Sequence, residues 1–413
     1  MKNKGIKVKR HRKNFYRRRK SAGRKVLEVI LIILLLAALV FIGYSVAPPL
    51  IKFFSGDKDT PSTSEPAWTP PETTTSQTEN SSLPTTTAPV TTEKPEDKPQ
   101  FLLGSDAITA PDTALQSSAA LTKYLETAKK SGYKTVIFNL KDDTGHLLYK
   151  SSVDTVKDNN TIVTGKLTAA QIVKACKNAQ IIPVASVATL NDHLISKFVE
   201  DAGYRTADDW EWLDAAYDKG GQPWATPYSA STVTYLSKIT KELSQAGFES
   251  IILQDVTYPN FGNYDYSLLP AYLKESARTD KLIALINKCA STASTSHTLV
   301  NIDAANLLTL NKAYYKGTAE VWSKKNSISG AGIVITLDVN TLGTSLQLSD
   351  KETLKVDKDI AKAVTGVFEK VKKTAGNTEI TVGISNHSKL SSDQIKNAVA
   401  AFKKLGYENI VLI

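Results

Sequence analysis

The chain has 413 residues, of which 41% are hydrophobic and 22% charged, with a formal net charge of +10 and two cysteines. The charge excess is local, because residues 2–25 hold thirteen Lys and Arg and no acid, whereas residues 101–413 hold 34 basic and 32 acidic residues. A nearly neutral main domain argues against nucleic acid as a partner, and two cysteines are too few for a disulfide scaffold.

The basic segment (1–25) is followed by an apolar one (26–47), interrupted only by Glu28. Its length is sufficient to cross a hydrocarbon core of about 30 Å, and basic residues before a spanning helix stay in the cytoplasm. Residues 45–47 resemble a signal-peptidase site, but two prolines follow directly, which makes cleavage unfavourable. We therefore expect a retained single-pass anchor in the cell membrane, with a cytoplasmic N-terminus and an extracellular C-terminal domain.

Residues 48–100 are dominated by Thr, Ser, Pro and Glu and contain little that a core would bury. Such a composition predicts a disordered or partly polyproline II linker. It would hold the following domain away from the membrane.

The domain at 101–413 alternates short apolar runs with amphipathic segments. The predicted strands are 101–103, 134–140, 180–187, 249–255, 297–303, 332–338, 379–385 and 408–413, and the predicted helices are 112–131, 167–179, 229–246, 267–290, 304–325, 358–374 and 391–405. This alternation indicates parallel strands joined by helical crossovers. Eight such units predict an α/β fold of the (β/α)8, TIM-barrel type, with an open doubly wound sheet as the alternative.

Several predicted strands end on polar residues, as in "IILQDVTYP" (251–259). In a barrel, the C-terminal ends of the strands meet on the face where active sites are built. Asp255 is the strongest catalytic candidate, because the sequence after it is no helix start and a capping role is therefore disfavoured. Asp142 or Asp338 is its candidate partner. Asp303 and Asp338 are each better explained as a helix cap or turn residue, because helix-forming or turn sequence follows both.

Other residues near the same strand ends are candidates for substrate binding. In the segment "KDDTG", residues 143–145 indicate a turn, which leaves Lys141 or Asp142 at the rim. Aromatic faces stack on sugar rings but also pack in ordinary loops. The remaining candidate ligands of a polar substrate are Trp212, Trp224, Tyr228, Gln254, Tyr258, Asn386 and His387.

No cofactor or metal site is predicted. A glycine-rich phosphate loop is absent from the sequence, and His146, His193 and His387 show no ligand spacing that would support a metal-dependent deacetylase. Cys176 and Cys289 are expected to be two buried thiols, with a disulfide as the less favoured alternative.

The segment 133–260 resembles the glycoside-hydrolase-like barrel family of bacterial membrane-anchored envelope proteins, with weaker similarity to the C-terminus. "NLKDDTGHLLY" (139–149) is similar to the family's Asp-x-Lys-Asp-x-x-Gly-x-x-x-Tyr stretch, with Asn139 in place of the first Asp. "ILQDVTYP" is similar to its strand-four motif, but Gln254 stands at the position of the Asp and Thr257 at that of the Arg. The matching residues elsewhere are Asp192, Trp224, Pro227 and Tyr228.

The resemblance implies a glycoside hydrolase acting on cell-envelope or extracellular polysaccharide through two carboxyl groups. The departures at the polar positions leave a second function open, a non-catalytic glycan-binding or degenerate barrel module of the envelope. Both functions predict a glycan partner.

Overall fold

The computed structural model describes residues 107–269, 275–309, 319–349 and 351–413. Within these ranges, eight strands form one parallel sheet, and β7 (Ser345–Gln347) and β8 (Thr353–Lys355) form a separate hairpin. The strands of the sheet are β1 (Ala107–Thr109), β2 (Thr135–Lys141), β3 (Ile182–Ala188), β4 (Ser250–Gln254), β5 (His297–Asp303), β6 (Ala331–Asp338), β9 (Thr381–Ser385) and β10 (Ile410–Leu412).

Helices connect these strands, and polar caps start several of them. Thr168 and Ser391 each form a capping box with a glutamine three residues later, which satisfies backbone groups that the first turn leaves unpaired. The helices are α1 (Ser118–Lys130), α2 (Ala169–Ala179), α3 (Ile195–Phe198), α4 (Ala230–Ala246), α5 (Asn263–Leu268), α6 (Glu275–Thr292), α7 (Ala304–Leu308), α8 (Ala319–Ser323), α9 (Ile360–Ala375) and α10 (Ser392–Lys404).

The order of the strands in the sheet is β1-β2-β3-β4-β5-β6-β9-β10, and every neighbouring pair is parallel. This order follows the chain without the reversal that defines a doubly wound sheet, so that alternative is wrong. The first and last strands approach each other, and the Thr109 hydroxyl donates to the Leu412 carbonyl oxygen at 2.9 Å. The (β/α)8 barrel is therefore confirmed as a nearly closed barrel.

The barrel interior has two layers of different chemistry. Its lower layer is an apolar cluster of inward-facing side chains: Ala107, Ile137, Val184, Ile252, Leu299, Val334 and Val411. Because side chains alternate along a strand, the residues two positions further on face the same way. On β4, β5 and β6 these are Gln254, Asn301 and Thr336, so the interior becomes polar toward the C-terminal strand ends.

Seven of the predicted strands agree with the structure to within two residues at each end. The first predicted strand, 101–103, lies outside the described residues, within which β1 spans Ala107–Thr109. Of the helix predicted over 267–290, residues 270–274 lie outside the described residues, Leu269 before them is extended, and α6 spans Glu275–Thr292. Likewise, the helix predicted over 304–325 ends at Leu308, and α8 follows separately.

The predicted anchor (26–47) and linker (48–100) also lie outside the described residues. Among the helices that the structure describes, none is long and apolar enough to cross a membrane. Cys176 on α2 and Cys289 on α6 are buried free thiols, as expected.

Candidate functional site

The candidate polar residues lie at the C-terminal ends of the barrel strands. Lys141, Gln254 and Asp338 each end a strand, and Asp142 and Asp255 directly follow one. Because the barrel strands are parallel, these ends share one face.

Asp142 organises the turn after β2. Its Oδ1 accepts hydrogen bonds from the Thr144 backbone N (3.0 Å), the Thr144 hydroxyl (2.7 Å) and the His146 backbone N (2.8 Å). Burial raises the pKa of Asp142, but these hydrogen bonds outweigh it and the net pKa is lowered. Residues 143–145 form the turn that the sequence predicted, and the half-buried Asp142 accepts hydrogen bonds from its backbone, whereas Asp143 is exposed.

Lys141 is fully buried, so it is not an open rim residue. Its ammonium group lies 3.0 Å from Asp192 Oδ2 and donates to the Ala188 carbonyl oxygen at 2.9 Å. The register between β2 and β3 shifts after Asn139. Lys141 therefore pairs with Val187, one residue before the partner that a regular register would give it. A buried ammonium group needs such a partner, and this geometry favours a structural role over substrate binding.

Asp192, the partner of Lys141, also packs against the turn after β2. Asp192 Oδ1 accepts from the backbone N of Leu194 (2.9 Å) and Ile195 (2.8 Å). A Cβ on Gly145 would lie 2.2 Å from that oxygen, and Gly145 has φ +102°. Only glycine fits there without displacing Asp192.

Tyr149, the last residue of the motif, fastens the loop to α4. Its hydroxyl donates to Glu242 Oε2 at 2.6 Å, and the Ser151 hydroxyl donates to the same oxygen at 2.7 Å. Glu242 Oε1 accepts from the Ser152 backbone N and hydroxyl, both at 2.6 Å. Sequence reasoning missed Glu242, since nothing in a helical segment marks one glutamate as the anchor of a distant loop.

Asp255 follows β4 in an unusual backbone conformation. Its φ of +51° lies in the left-handed region, which aspartate adopts more readily than bulkier residues. The Thr189 hydroxyl contacts the carbonyl oxygens of both Gln254 (2.8 Å) and Asp255 (2.9 Å), and so holds this bend. Burial and, to a smaller extent, the Asp143 carboxylate raise the pKa of Asp255 to about 6, although Lys141 opposes them. Because the chain leaves the extended conformation at Asp255, its side chain does not follow the alternation of faces that a continued strand would impose.

A second pair of acids lies at the ends of β5 and β6. Asp303 Oδ1 caps α7 by accepting from the Asn306 backbone N at 2.7 Å, as the cap interpretation predicted. Burial raises the pKa of Asp303 to about 6; the Asn306 hydrogen bond opposes this, and nearby Asp338 adds to it. Sequence reasoning ranked Asp303 below the other acids because it could not see that a cap can also be enclosed and lie beside a second carboxylate.

Asp338 and Asn386, both candidates from the sequence, lie in contact. Asn386 Nδ2 donates to Asp338 Oδ1 at 2.9 Å, and the Asn340 backbone N donates to the same oxygen at 2.8 Å. Asn386 has φ +59°, so two of the candidate residues adopt left-handed backbone after a strand. His387 is buried, and burial lowers its pKa.

Gln254 faces the barrel interior and belongs to a chain of buried polar groups. Asn301 Nδ2 donates to Gln254 Oε1 at 2.8 Å, and the Thr336 hydroxyl donates to Asn301 Oδ1 at 3.0 Å. We refer to Gln254, Asn301 and Thr336 as the amide ladder. Gln254 was predicted from its place at the strand end, whereas its two partners were missed because they lie in the middle of apolar runs.

The aromatic candidates divide into buried and partly exposed groups. Trp212 and Tyr258 are buried, and Trp212 packs on Phe261 at 4.8 Å between ring centroids. The Arg278 guanidinium lies 4.3 Å from the centre of the Tyr258 ring. These residues form a packed cluster rather than an open stacking platform. Trp224 and Tyr228 are half-buried and remain closer to solvent.

The described residues contain no group of three or more His, Cys, Asp or Glu side chains that could hold a metal ion. His146 contacts Asp142 at 3.2 Å, and His193 Nδ1 contacts the Pro223 carbonyl oxygen at 2.8 Å. These two histidines therefore have separate partners.

Comparison with solved structures finds similar chains at low identity. A hypothetical protein from Ruminiclostridium thermocellum is 17% identical, with a TM-score of 0.39, and the match covers 47% of this chain and 96% of that chain. The catalytic domain of β-amylase from Paenibacillus polymyxa is 10% identical, with a TM-score of 0.45 and coverage of 75% and 93%. An α-galactosidase from Thermus thermophilus is 10% identical, with a TM-score of 0.45 and coverage of 76% and 58%.

No curated protein matches the chain. A family model does match it, over residues 107–313, and its description is "Putative glycosyl hydrolase domain". The match begins with β1 and includes the turn of Asp142, the buried pair of Lys141 with Asp192, the bend at Asp255 and the cap at Asp303. On this match, which spans half of the sequence, the chain belongs to this family of glycosyl hydrolase domains.

Proposed function

We propose that the barrel hydrolyses glycosidic bonds in cell-envelope or extracellular polysaccharide, with Asp255 as the general acid. The observation that carries the proposal is the bend at Asp255, which Thr189 holds in the left-handed region at the rim. Conformational strain of this kind concentrates at functional sites. Family membership supports the reaction class.

The environment of Asp255 suits proton donation. A general acid must carry its proton at the working pH, and burial raises the pKa of Asp255 to about 6. Asp255 therefore holds its proton at mildly acidic pH, where an ordinary aspartate has lost it. The proton would pass to the glycosidic oxygen as the bond to the anomeric carbon breaks.

Asp338 is the proposed carboxylate partner. Asn340 and Asn386 both donate to its Oδ1, which fixes its orientation, whereas Oδ2 has a longer contact of 3.4 Å with Asn340 Nδ2. Oδ2 is therefore the oxygen more available to a sugar or a water. Asp142 suits this role less well, because its Oδ1 already accepts three hydrogen bonds within the turn.

The alternative, a glycan-binding module without catalysis, depends on an exposed aromatic platform. Trp212 and Tyr258 are instead part of a packed cluster, and only Trp224 and Tyr228 of the predicted aromatic set are half-buried. This packing favours the hydrolase, whose requirement is carboxyl groups at the rim.

The proposal is tested by measuring reducing ends released from cell-wall and capsular polysaccharides by the purified chain. Asp255→Asn keeps the shape and removes the ionisable carboxyl, so we expect a loss of about a hundredfold or more in rate with folding retained. Asp208→Asn, at an exposed position between α3 and α4, is the matched control and should leave the rate unchanged. Full activity in Asp255→Asn would refute the assignment. Glycan binding without hydrolysis by the wild-type chain would favour the binding module.

The proposed location is the outer face of the cell membrane, with 26–47 as anchor and 48–100 as spacer. It rests on the basic segment, the apolar run and the linker composition. Protease added to cells whose wall has been removed should release the barrel by cutting the linker. Protection of the barrel from that protease would refute the orientation.

A further inference from the structure

The amide ladder leaves one buried polar atom unsatisfied. Thr336 is almost fully buried and its hydroxyl orients the Asn301 amide, which in turn donates to Gln254 Oε1. Because Oε1 is fixed in this way, Nε2 of the same amide is fixed as well. Nε2 is buried and has no hydrogen-bond partner among the residues that the structure describes. Buried amide donors are nearly always paired in proteins, so an unpaired one at a site calls for an acceptor.

The position of this donor connects it to the proposed chemistry. Gln254 directly precedes Asp255, and Asn301 lies two residues before Asp303 on the same face of β5. The ladder therefore lies next to Asp255 and Asp303, whose pKa values are both raised by burial. An oxygen atom of a ligand in the barrel mouth is the group that would complete it.

The charges of the rim restrict what that ligand is. Asp142 and Asp143 follow β2, Asp255 follows β4, and Asp303 and Asp338 end β5 and β6, so five acids lie at the same strand ends. Lys141, which ends β2, is already paired with Asp192, and Lys389 contacts Asn340 Oδ1. An anionic sugar would meet uncompensated like charge, whereas a neutral sugar would not.

We propose that Gln254 determines specificity at the site of the proposed hydrolysis by donating from Nε2 to a hydroxyl or carbonyl oxygen of an uncharged sugar. Asn301 and Thr336 are positioning residues that hold the amide in that orientation. The preferred substrates are neutral glycans, such as hexose or N-acetylhexosamine polymers, rather than uronic acid polymers. This inference rests on the proposed function for its location, but it concerns binding and is tested separately.

The test measures binding of the full-length chain to immobilised oligosaccharides. The neutral probes are the tetramers of β-1,4-linked N-acetylglucosamine and glucose and an α-1,6-linked mannose tetramer, and the anionic probes are tetramers of galacturonic and mannuronic acid. We expect retention of at least one neutral probe and of neither anionic one. Binding of an anionic probe in preference to the neutral ones, or of no probe at all, would overturn the proposal.

Variants of Gln254 test the donor. Gln254→Glu keeps the oxygen that contacts Asn301 and replaces the N–H donor by an acceptor, so affinity for the retained probe should fall about tenfold. Gln254→Met, which is neutral and of similar length, should lose a similar factor and covers the case in which the glutamate variant does not fold. The matched control is Gln245→Glu, the same change at an exposed position of α4, which should bind as the wild type. Undiminished binding by folded Gln254→Glu would overturn the proposal.

Thr336 tests the positioning of the amide. Thr336→Val keeps the volume and removes the hydroxyl donor, so affinity should fall a fewfold, and Thr336→Ser should restore it. If Thr336 acted only by packing, Thr336→Ser would not restore the affinity, because serine also lacks the methyl group. Binding that survives without hydrolysis would refute the proposed function alone, and hydrolysis with unchanged binding in Gln254→Glu would refute this inference alone.

Discussion

The loop after β2 and the strand ends from β4 to β6 both carry acidic side chains, but they use them differently. In the loop after β2, Asp142 accepts hydrogen bonds from backbone N–H groups, and Asp192, which follows β3 and packs against that loop, accepts others and pairs with Lys141. At the later strand ends, Asp255 lies in a strained bend, and burial raises its pKa. The acids associated with the motif at 139–149 therefore maintain the architecture, whereas the candidate reactive groups lie at the later strand ends.

The largest effect is expected where the buried ion pair of the loop is broken. Asp192→Asn keeps the oxygen that caps α3 but leaves the Lys141 ammonium group buried beside a neutral amide. We expect a loss of about 3–5 kcal/mol in the free energy of unfolding, measured by chemical denaturation. Asp154→Asn removes the acid of the exposed pair with Lys157 and serves as the control, with no measurable shift of the midpoint. A small effect of Asp192→Asn would mean that the loop does not depend on this pair.

A smaller and pH-dependent effect is expected at Asp255. Its folded pKa of about 6 lies above the ordinary value of 3.8, so the folded state binds this proton more tightly than the unfolded state does. The resulting contribution to stability is fully present below about pH 4 and is lost as the pH rises through 6. At pH 8, Asp255→Asn should therefore be more stable than the wild type by up to about 3 kcal/mol.

The measurement is thermal unfolding of both proteins between pH 3.5 and 8. The two stability curves should converge at the acidic end and separate between pH 4 and 6. A constant difference over the whole range would show that folding does not raise the pKa of Asp255, and would remove the contrast with the loop.

The hydrogen bond between Tyr149 and Glu242, which holds the loop after β2 to α4, is expected to contribute less to stability. Tyr149→Phe removes the hydroxyl that donates to Glu242 but leaves that carboxylate its bonds to Ser151 and Ser152. We expect a loss of about 1.5 kcal/mol, the typical value for a hydrogen bond to a charged group. Denaturation of Tyr149→Phe and of the exposed control Tyr217→Phe measures it. Equal midpoints would show that the hydroxyl bond does not hold the loop.

The smallest effect is expected from Asp142→Asn on catalysis. The amide oxygen still accepts from the backbone N of Thr144 and His146, so the turn should persist. Release of reducing ends should change by less than about threefold, against the hundredfold loss expected for Asp255→Asn. A loss in Asp142→Asn as large as that in Asp255→Asn would place the reactive carboxyl in the loop and reverse the comparison.

The fold was predictable because its signals are local. Apolar runs such as 134–140 and 297–303 and the helical segments between them specify strands and helices whatever surrounds them, and their regular alternation specifies parallel pairing. Errors occurred where a local signal was misjudged, as at Leu269, which was predicted to be helical but is extended before a proline. The sequence also showed that Asp255 is no helix cap, since no helical pattern follows it.

The tertiary structure alone decided what each polar side chain does. Tyr149 and Glu242 are 93 residues apart in sequence, and no local pattern joins them. Asp142 and Asp143 are chemically identical neighbours, and only the path of the turn makes the first an acceptor and leaves the second exposed. Gln254, Asn301 and Thr336 become one hydrogen-bonded chain because β4, β5 and β6 lie side by side. By itself, the sequence determined the barrel and the face that carries its polar residues. Contacts between distant segments decide which of those residues are hydrogen-bonded within the protein and which remain available to a ligand. These contacts form only when the strands pair.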